Sequence, residues 1–165
     1  MALARRQGPT ALALSRQNLP VLDRSALAPA SGVQRGGYIL WEATEKPNVI
    51  LLGTGSEVHI ALEAGKLLQA KDIKARVVSL PSWELFDAQP AEYRDSVLPP
   101  EIRARVSIEA ATPMGWKQYV GDQGVVIGIP HFGASAPADV LYQEFGLTAQ
   151  HMAEEADRLL TRSAA

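Results

Sequence analysis

Short apolar runs recur between residues 37 and 129, and each is bounded by glycine, proline or charged residues. The run 48–53, NVILLG, is continuously apolar, which is typical of a strand buried on both faces. The run 37–43, GYILWEA, alternates apolar and polar positions and predicts a strand at the edge of a sheet. Further strands are predicted at 74–80, 104–110 and 124–129.

A helical period follows the first buried run, because apolar residues there recur every three or four positions. Residues 56–71 predict a long helix, with Ser56 as its N-cap and Glu57 near the positive end of the helix dipole. The side chains predicted to face inward are Val58, Ala61, Leu62, Gly65 and Leu68.

Two more helices are predicted near the end of the chain. Residues 137–146 predict a short helix with Pro137 in its first turn, and residues 148–162 predict a terminal helix capped by Thr148. The inward residues of the terminal helix are Met152, Ala156, Leu159 and Leu160. Short helical turns are predicted over 81–100. Strands that alternate with helices predict an α/β sandwich with a mainly parallel sheet and helices on both faces.

The first 36 residues lack this rhythm. Residues 1–7 predict the last turns of a helix, and the apolar run 10–14 predicts a buried strand. Residues 17–37 contain proline and glycine with little periodicity, which is typical of a linker. Because a lone strand has no sheet of its own, we expect residues 1–30 to be mobile or to pack against a neighbouring molecule.

Ser15, Arg16 and Gln17 follow the predicted N-terminal strand, as at the rim of an anion site. A guanidinium group can bind a phosphate or a carboxylate through two parallel hydrogen bonds. The alternative is an exposed arginine that pairs with a local acid such as Asp23. The residues alone leave both interpretations open for Arg16.

Composition narrows the possible classes of protein. The 165 residues suit one domain with an appendage, and 47% apolar and 21% charged residues are ordinary for a folded globular protein. The net charge of −2 argues against non-specific nucleic-acid binding. The absence of cysteine excludes disulfides and cysteine metal sites. No apolar run reaches the ~18 residues of a membrane span, and no secretory signal begins the chain, so we expect a cytoplasmic protein.

The turn GTGSE, residues 53–57, lies between a predicted strand and a predicted helix, where backbone amides and the helix dipole favour phosphate. Position 58 is valine where the dinucleotide-binding pattern needs glycine, and the lysine of a P-loop is missing. The alternative is a tight turn between strand and helix. A zinc site is not predicted, since the three histidines, His59, His131 and His151, are far apart and show no ligand spacing.

Three further residues invite a structural or a functional interpretation. Glu109 ends a predicted strand and is expected to be an internal hydrogen-bond acceptor. In the loop 111–124, Trp116 and Tyr119 would either cover a ligand or pack beneath a neighbouring chain.

Long stretches of the chain resemble transketolase. Residues 8–20, GPTALALSRQNLP, resemble the end of that family's pyrimidine-binding domain. Four later stretches are similar to successive motifs of its C-terminal domain, in the family's order and spacing. They are VILLGTGSEVHIALEAGKLL (49–68), RVVSLPSWELFDAQ (76–89), RVSIEAATPMGWKQYVG (105–121) and FGASAPADVLYQEFGLTAQHM (132–152).

The resemblance implies a domain organisation and a fold. Residues 1–25 would be an incomplete piece of the pyrimidine-binding domain that carries its terminal strand, and residues 26–36 a linker. Residues 37–165 would form the transketolase C-terminal domain. That domain is an α/β fold, a three-layer α/β/α sandwich whose five-stranded sheet is mostly parallel with one antiparallel strand. Residues 37–43 would be the antiparallel edge strand.

The resemblance also implies a chemistry. Transketolase moves a two-carbon ketol unit between sugar phosphates in the pentose phosphate pathway, using thiamine diphosphate and a divalent cation, Mg or Ca. Arg16 matches the arginine that binds the phosphate of the sugar substrate. The family's catalytic, cofactor-binding and metal-binding residues lie in upstream domains, so none is assigned to this chain. By this resemblance the complete enzyme would be a homodimer.

These implications give a leading hypothesis and two alternatives. The leading hypothesis is the C-terminal portion of a transketolase, which alone neither binds thiamine diphosphate nor transfers ketol units. Its partners would be the upstream domains or subunit and a sugar phosphate, with no nucleic acid and no membrane. The first alternative is an assembly subunit of a split thiamine-diphosphate enzyme. The second is a small-ligand regulatory module built on the 53–56 turn.

Overall fold

A five-stranded sheet organises the computed structural model, which describes residues 5–43 and 46–163. The strands lie in the order β1-β3-β2-β4-β5, and β1 pairs antiparallel with β3 while the other pairs are parallel. The strands are β1 (Tyr38–Glu42), β2 (Val49–Gly53), β3 (Ala75–Ser79), β4 (Arg105–Ile108) and β5 (Val125–Ile127). The predicted sheet, with its antiparallel edge strand, is confirmed.

Helices cover both faces of this sheet. They are α1 (Val58–Gln69), α2 (Trp83–Asp87), α3 (Ala91–Val97), α4 (Lys117–Val120), α5 (Ala138–Glu144) and α6 (Ala149–Ser163). Two short 3-10 helices, Ala30–Arg35 and Gly55–Glu57, precede β1 and α1. No helix in the described part of the chain is long and apolar enough to cross a membrane.

Strand β2 shows why the sheet has two apolar faces. All five of its residues are buried. Val49 and Leu51 belong to the apolar cluster that includes residues of α1 and α6. Ile50 and Leu52 belong to the cluster on the opposite face, with residues of α2, α3 and α4. Because successive side chains of a strand point to opposite faces, a continuously apolar run serves both clusters. The result is the predicted three-layer sandwich.

The start of α1 differs from the prediction. Its predicted inward residues, listed above, are buried. Ser56, however, is not the N-cap, because a 3-10 turn over Gly55–Glu57 precedes the helix and α1 begins at Val58. Thr54, in extended backbone, precedes that turn, and no side chain caps it. The Glu57 side chain turns inward instead, which places a carboxylate at the edge of the sheet.

The N-terminal segment corrects the prediction of a buried strand over 10–14. These residues are exposed and form no strand; Leu12 is 71% exposed and Leu14 84%. No neighbouring strand in the described structure satisfies their backbone groups, so the apolar side chains remain uncovered. The predicted helical turns lie partly in residues 1–4, outside the described residues, and residues 5–7 are not helical.

From Leu22 onward the chain packs on its own domain. Leu22, Leu27 and Ala28 contact the α1–α6 cluster, and the Ala28 amide donates to the Leu40 carbonyl at 3.0 Å. For these residues the expectation of mobility or of packing on a neighbouring molecule is wrong. The segment enters the domain at Gly36, whose φ of +78° favours glycine. A Cβ there would lie 2.3 Å from the Phe86 nitrogen.

The capping of α6 by Thr148 is confirmed, since the His151 amide donates to Thr148 Oγ1 at 3.2 Å. Thr148→Ala is expected to lower the free energy of unfolding by about 1 kcal/mol, because an N-cap hydroxyl is lost. Urea titration followed by circular dichroism measures this change. Thr161→Ala, the same substitution on the exposed face of α6, is the matched control. Equal losses in the two variants would contradict the assignment of the cap.

Candidate functional site

A cleft of about 850 Å³ lies at the carboxyl ends of β2, β3 and β4. Parallel register brings these ends together, because Gly53 pairs with both Ser79 and Ile108. The loops that follow the three strands form the inner wall, and the exposed N-terminal segment forms the outer wall. Open α/β sheets bind ligands at this edge. The lining residues used below are Leu12, Leu14, Ser15, Glu57, Glu109 and Ala110.

Glu57 is the buried charge of this cleft, with only 3% of its surface exposed. Its Oε2 accepts a hydrogen bond from the Ala110 amide at 3.0 Å, just beyond β4. Its Oε1 accepts one from the hydroxyl of Tyr142 on α5, at 2.5 Å. The carboxylate therefore ties three elements together at the end of the sheet.

This carboxylate bears on the two interpretations of the 53–57 turn. A phosphate at the turn would stand beside the negative charge of Glu57, and like charges repel strongly where water is excluded. Gly55, with φ of +53°, supplies the left-handed backbone of a tight turn. The geometry therefore favours the structural turn over an anion site.

Glu109 is an internal hydrogen-bond acceptor, as predicted. Its Oε2 accepts from Trp116 Nε1 at 2.7 Å. The suggestion that Trp116 and Tyr119 cover a ligand or pack beneath a neighbouring chain is wrong. They are 0% and 3% exposed and pack in the core with Trp83, whose ring centroid is 5.3 Å from that of Trp116.

The three histidines do not converge. Among residues 5–43 and 46–163, no group of three or more His, Cys, Asp or Glu side chains is placed to hold a metal ion. His131 Nδ1 bonds the Phe132 carbonyl at 2.7 Å, and His151 Nδ1 bonds the Gly146 carbonyl at 2.8 Å. The bond of His131 thus lies within its loop, and that of His151 joins the first turn of α6 to Gly146, which ends the preceding turn.

Arg16 stands outside the folded body. It is exposed, and its side chain has no hydrogen bond or ion pair with any residue that the structure describes. The local acid considered as its partner, Asp23, instead accepts hydrogen bonds from the backbone and side chain of Ser25, at 2.9 and 2.7 Å. These bonds lower the pKa of Asp23. The guanidinium of Arg16 is thus left available for a ligand.

The residue after Arg16 makes a contact that sequence reasoning missed. Gln17 Nε2 donates to the Tyr142 hydroxyl at 3.1 Å, across 125 residues of chain. Burial raises the pKa of Tyr142 and so does Glu57, while the hydrogen bonds with Gln17 and Ser56 lower it. The net shift is upward, so the phenol keeps its proton at neutral pH. No local pattern could reveal this contact, since its members share no short-range spacing.

Comparison with known proteins decides the family. Residues 36–148 match the sequence model of the transketolase-like TK C-terminal domain. The chain belongs to the transketolase family. It is 50% identical over 165 residues to the transketolase of Mycobacterium tuberculosis, with 96% of this chain and 23% of that protein covered. It is 51% identical over 152 residues to the chloroplastic transketolase of Solanum tuberosum, with 91% and 20% covered.

Solved transketolases share the fold. The Pichia stipitis transketolase in complex with sedoheptulose-7-phosphate superposes with a TM-score of 0.79 and 37% identity, over 88% of this chain and 20% of that chain. A split gene transketolase, described as an inactive β4 tetramer, gives a TM-score of 0.66 over 88% of this chain and 48% of that chain. At 21% identity, that likeness shows the fold alone. Among the curated transketolases, the chain spans less than a third of the length of those it matches.

Proposed function

We propose that this chain is the C-terminal portion of a transketolase, in which it contributes Arg16 to the binding of the sugar phosphate. The complete enzyme would transfer a two-carbon ketol unit between sugar phosphates. The observation that carries the proposal is the free guanidinium of Arg16, which follows the cleft residue Ser15 in the chain and has no partner among the described residues. A guanidinium in this state is suited to a phosphate dianion, which accepts its two parallel hydrogen bonds.

The cofactor chemistry of such an enzyme does not fit the residues described in this chain. Thiamine diphosphate with a divalent cation needs oxygen ligands that are free to face the metal. The two carboxylates that line the cleft have other partners: both oxygens of Glu57 accept hydrogen bonds, and Oε2 of Glu109 accepts from Trp116. We therefore assign thiamine diphosphate and its cation to an upstream portion of the enzyme.

The N-terminal segment supports assembly with such a portion. Leu12 and Leu14 are exposed and precede Arg16 on a backbone that forms no strand and no backbone hydrogen bond within the described structure. A segment with unpaired amides and apolar side chains is suited to joining the edge of a sheet. Pairing with an upstream domain or subunit would cover these side chains and place Arg16 at a site that both parts form. Homodimer formation would then belong to the assembled enzyme.

Reconstitution tests the proposal. An upstream portion of a transketolase, carrying the cofactor-binding domains and lacking the region matched here, is mixed with this chain. Ketol transfer is expected in the mixture and in neither part alone. Leu14→Asp is expected to lower the activity of the mixture at least tenfold, since a charge would be buried at the contact. Leu67→Asp, on an exposed apolar residue of α1, is the matched control.

Three results would contradict the proposal. The first is ketol transfer by this chain alone, and the second is calorimetric binding of thiamine diphosphate to it in the micromolar range. The third is a mixture that stays inactive although the two parts associate. An assembly subunit encoded separately, the first alternative, gives the same result in the mixture, because it makes the same contacts. The regulatory-module alternative predicts instead that the chain alone binds phosphate or nucleotides at Ser56.

A further inference from the structure

The hydrogen bond from Gln17 to Tyr142 is the one hydrogen bond that joins residues 5–20 to the folded domain within the described structure. Residues on either side of it are exposed and make no such bond. Ahead of Leu22, where the chain begins to pack on the domain, residues 5–20 are therefore hydrogen-bonded to it at one point, directly beside Arg16.

The direction of the hydrogen bonds around Tyr142 is fixed by chemistry. The Glu57 carboxylate can only accept, so the Tyr142 hydroxyl is the hydrogen-bond donor to Glu57. The phenol oxygen then presents its lone pairs to the Gln17 amide, which can only donate through Nε2. We call this chain of side chains the Gln17–Tyr142–Glu57 relay. Removing the phenol oxygen breaks the hydrogen bonds to Gln17 and Glu57 at once, together with the interaction of Tyr142 with the Ser56 side chain.

The far end of the relay is rigid. Glu57 is buried and its second oxygen is held by the Ala110 amide at the end of β4. The relay thus extends from a fixed point of the sheet, through α5, to the residue next to Arg16. A long arginine side chain on an unrestrained segment loses more freedom when it binds a ligand than one on a restrained segment.

We propose that Tyr142 is a positioning residue for substrate binding, because through Gln17 it fixes the backbone that carries Arg16 beside the cleft. Glu57 holds the Tyr142 hydroxyl in place for this role. The inference rests on the proposed function of Arg16 and extends it to two residues of the C-terminal domain. Through Tyr142 and Glu57, the C-terminal domain would then influence the affinity of the enzyme for phosphorylated substrates.

Limited proteolysis of the chain tests the restraint without any activity. Trypsin cleaves after arginine, and the Arg16–Gln17 bond is the restrained one. Tyr142→Phe is expected to raise the rate of cleavage after Arg16 by about threefold or more, because local opening becomes more frequent. Cleavage after Arg6 in the same molecule is the internal reference and is expected to stay unchanged. Gln143→Ala, an exposed neighbour on α5, is the matched control.

A second variant keeps the test independent of folding. Tyr142→Phe also takes a partner from the buried Glu57, whereas Gln17→Ala leaves the Tyr142–Glu57 pair intact. Both variants are measured in the reconstituted enzyme. Each is expected to raise KM for a phosphorylated ketose by about fivefold, with kcat and the KM for a non-phosphorylated ketol donor unchanged.

Arg16→Ala separates the two proposals. If it abolishes the preference for phosphorylated donors while Tyr142→Phe and Gln17→Ala do not change KM, the positioning role is overturned and the proposed function stands. If Arg16→Ala itself leaves that preference unchanged, the role of Arg16 is overturned, and the positioning role falls with it. Unchanged cleavage after Arg16 in both relay variants would also overturn the restraint.

Discussion

Replacing Arg16 with alanine is expected to raise the KM of the reconstituted enzyme for phosphorylated sugars by about a hundredfold, with little change in kcat. A hydrogen bond to a charged group contributes about 1.5–3 kcal/mol. The two bonds of a forked pair are not independent, so we take about 3 kcal/mol for the loss of both. Since each 1.4 kcal/mol is about tenfold in affinity, about two orders of magnitude follow. The phosphate is remote from the bond that breaks, so the loss falls on binding.

Steady-state kinetics with matched donors checks this expectation. A ketose phosphate and a non-phosphorylated ketol donor are compared in each variant, and the ratio of their KM values is the measured quantity. Arg16→Lys keeps the charge and loses the fork, so an intermediate ratio is expected. Arg24→Ala is the control, because Arg24 is an exposed arginine of the same segment whose Nη1 donates to the Ala28 carbonyl at 2.8 Å. An equal rise in KM for both donors on Arg16→Ala would contradict phosphate binding.

The sheet could be predicted because its signal is local. In β2, four consecutive apolar residues contribute to the clusters on both faces of the sheet. The run between Asn48 and Gly53 is too short for a buried helix, so a strand is predicted. The helical spacing of α1 and the Thr148 cap of α6 are equally local, and both are confirmed. Resemblance to transketolase added what periodicity does not encode, namely the antiparallel direction of β1.

The errors have a common physical cause. Ser56 has the character of an N-cap, but tertiary contacts of Glu57 with Ala110 and Tyr142 decide where α1 begins. Residues 10–14 have the apolar character of a buried strand, but burial needs a partner strand that the described structure does not contain. At both positions the local sequence pattern is present, but a group distant in sequence, or its absence, determines the local structure.

In the candidate site, the sequence indicated Arg16, whose role stays a prediction, and Glu109 as a hydrogen-bond acceptor, which is confirmed; the rest depends on long-range pairing. The Gln17–Tyr142–Glu57 relay joins residues 125 and 85 positions apart. Gln17 begins the stretch predicted to be a linker, and Tyr142 lies on a helix of seven residues. Neither is distinguished by its neighbours in sequence. Trp116 shows the opposite error, since an aromatic residue in a loop suggested a ligand contact and proved to be core.

Trp116→Ala is expected to be among the most destabilising single changes in the domain. The side chain is fully buried and packs against Trp83 and Tyr119, so its removal leaves a large cavity. Such substitutions cost about 3–5 kcal/mol, against a total stability of about 5–15 kcal/mol for a typical domain. Glu109, which accepts from Trp116 Nε1, would also lose its hydrogen-bond donor. We expect the melting temperature to fall by about 10–20 °C.

Thermal and urea unfolding measure this loss, and two variants separate its causes. Trp116→Phe keeps a buried aromatic ring but removes the donor to Glu109 and part of the indole volume, so a smaller loss of about 1–3 kcal/mol is expected. Met114→Ala changes a 77% exposed residue of the same loop, and its effect is expected within about 0.5 kcal/mol. If Trp116→Ala were as mild as Met114→Ala, the indole could not be part of the core.

Because Glu109 follows β4 at the cleft, a destabilised Trp116→Ala domain should also assemble less well with the upstream portion. That loss should recover at lower temperature as the domain refolds, whereas the loss of phosphate selectivity in Arg16→Ala should persist at every temperature where the enzyme is folded.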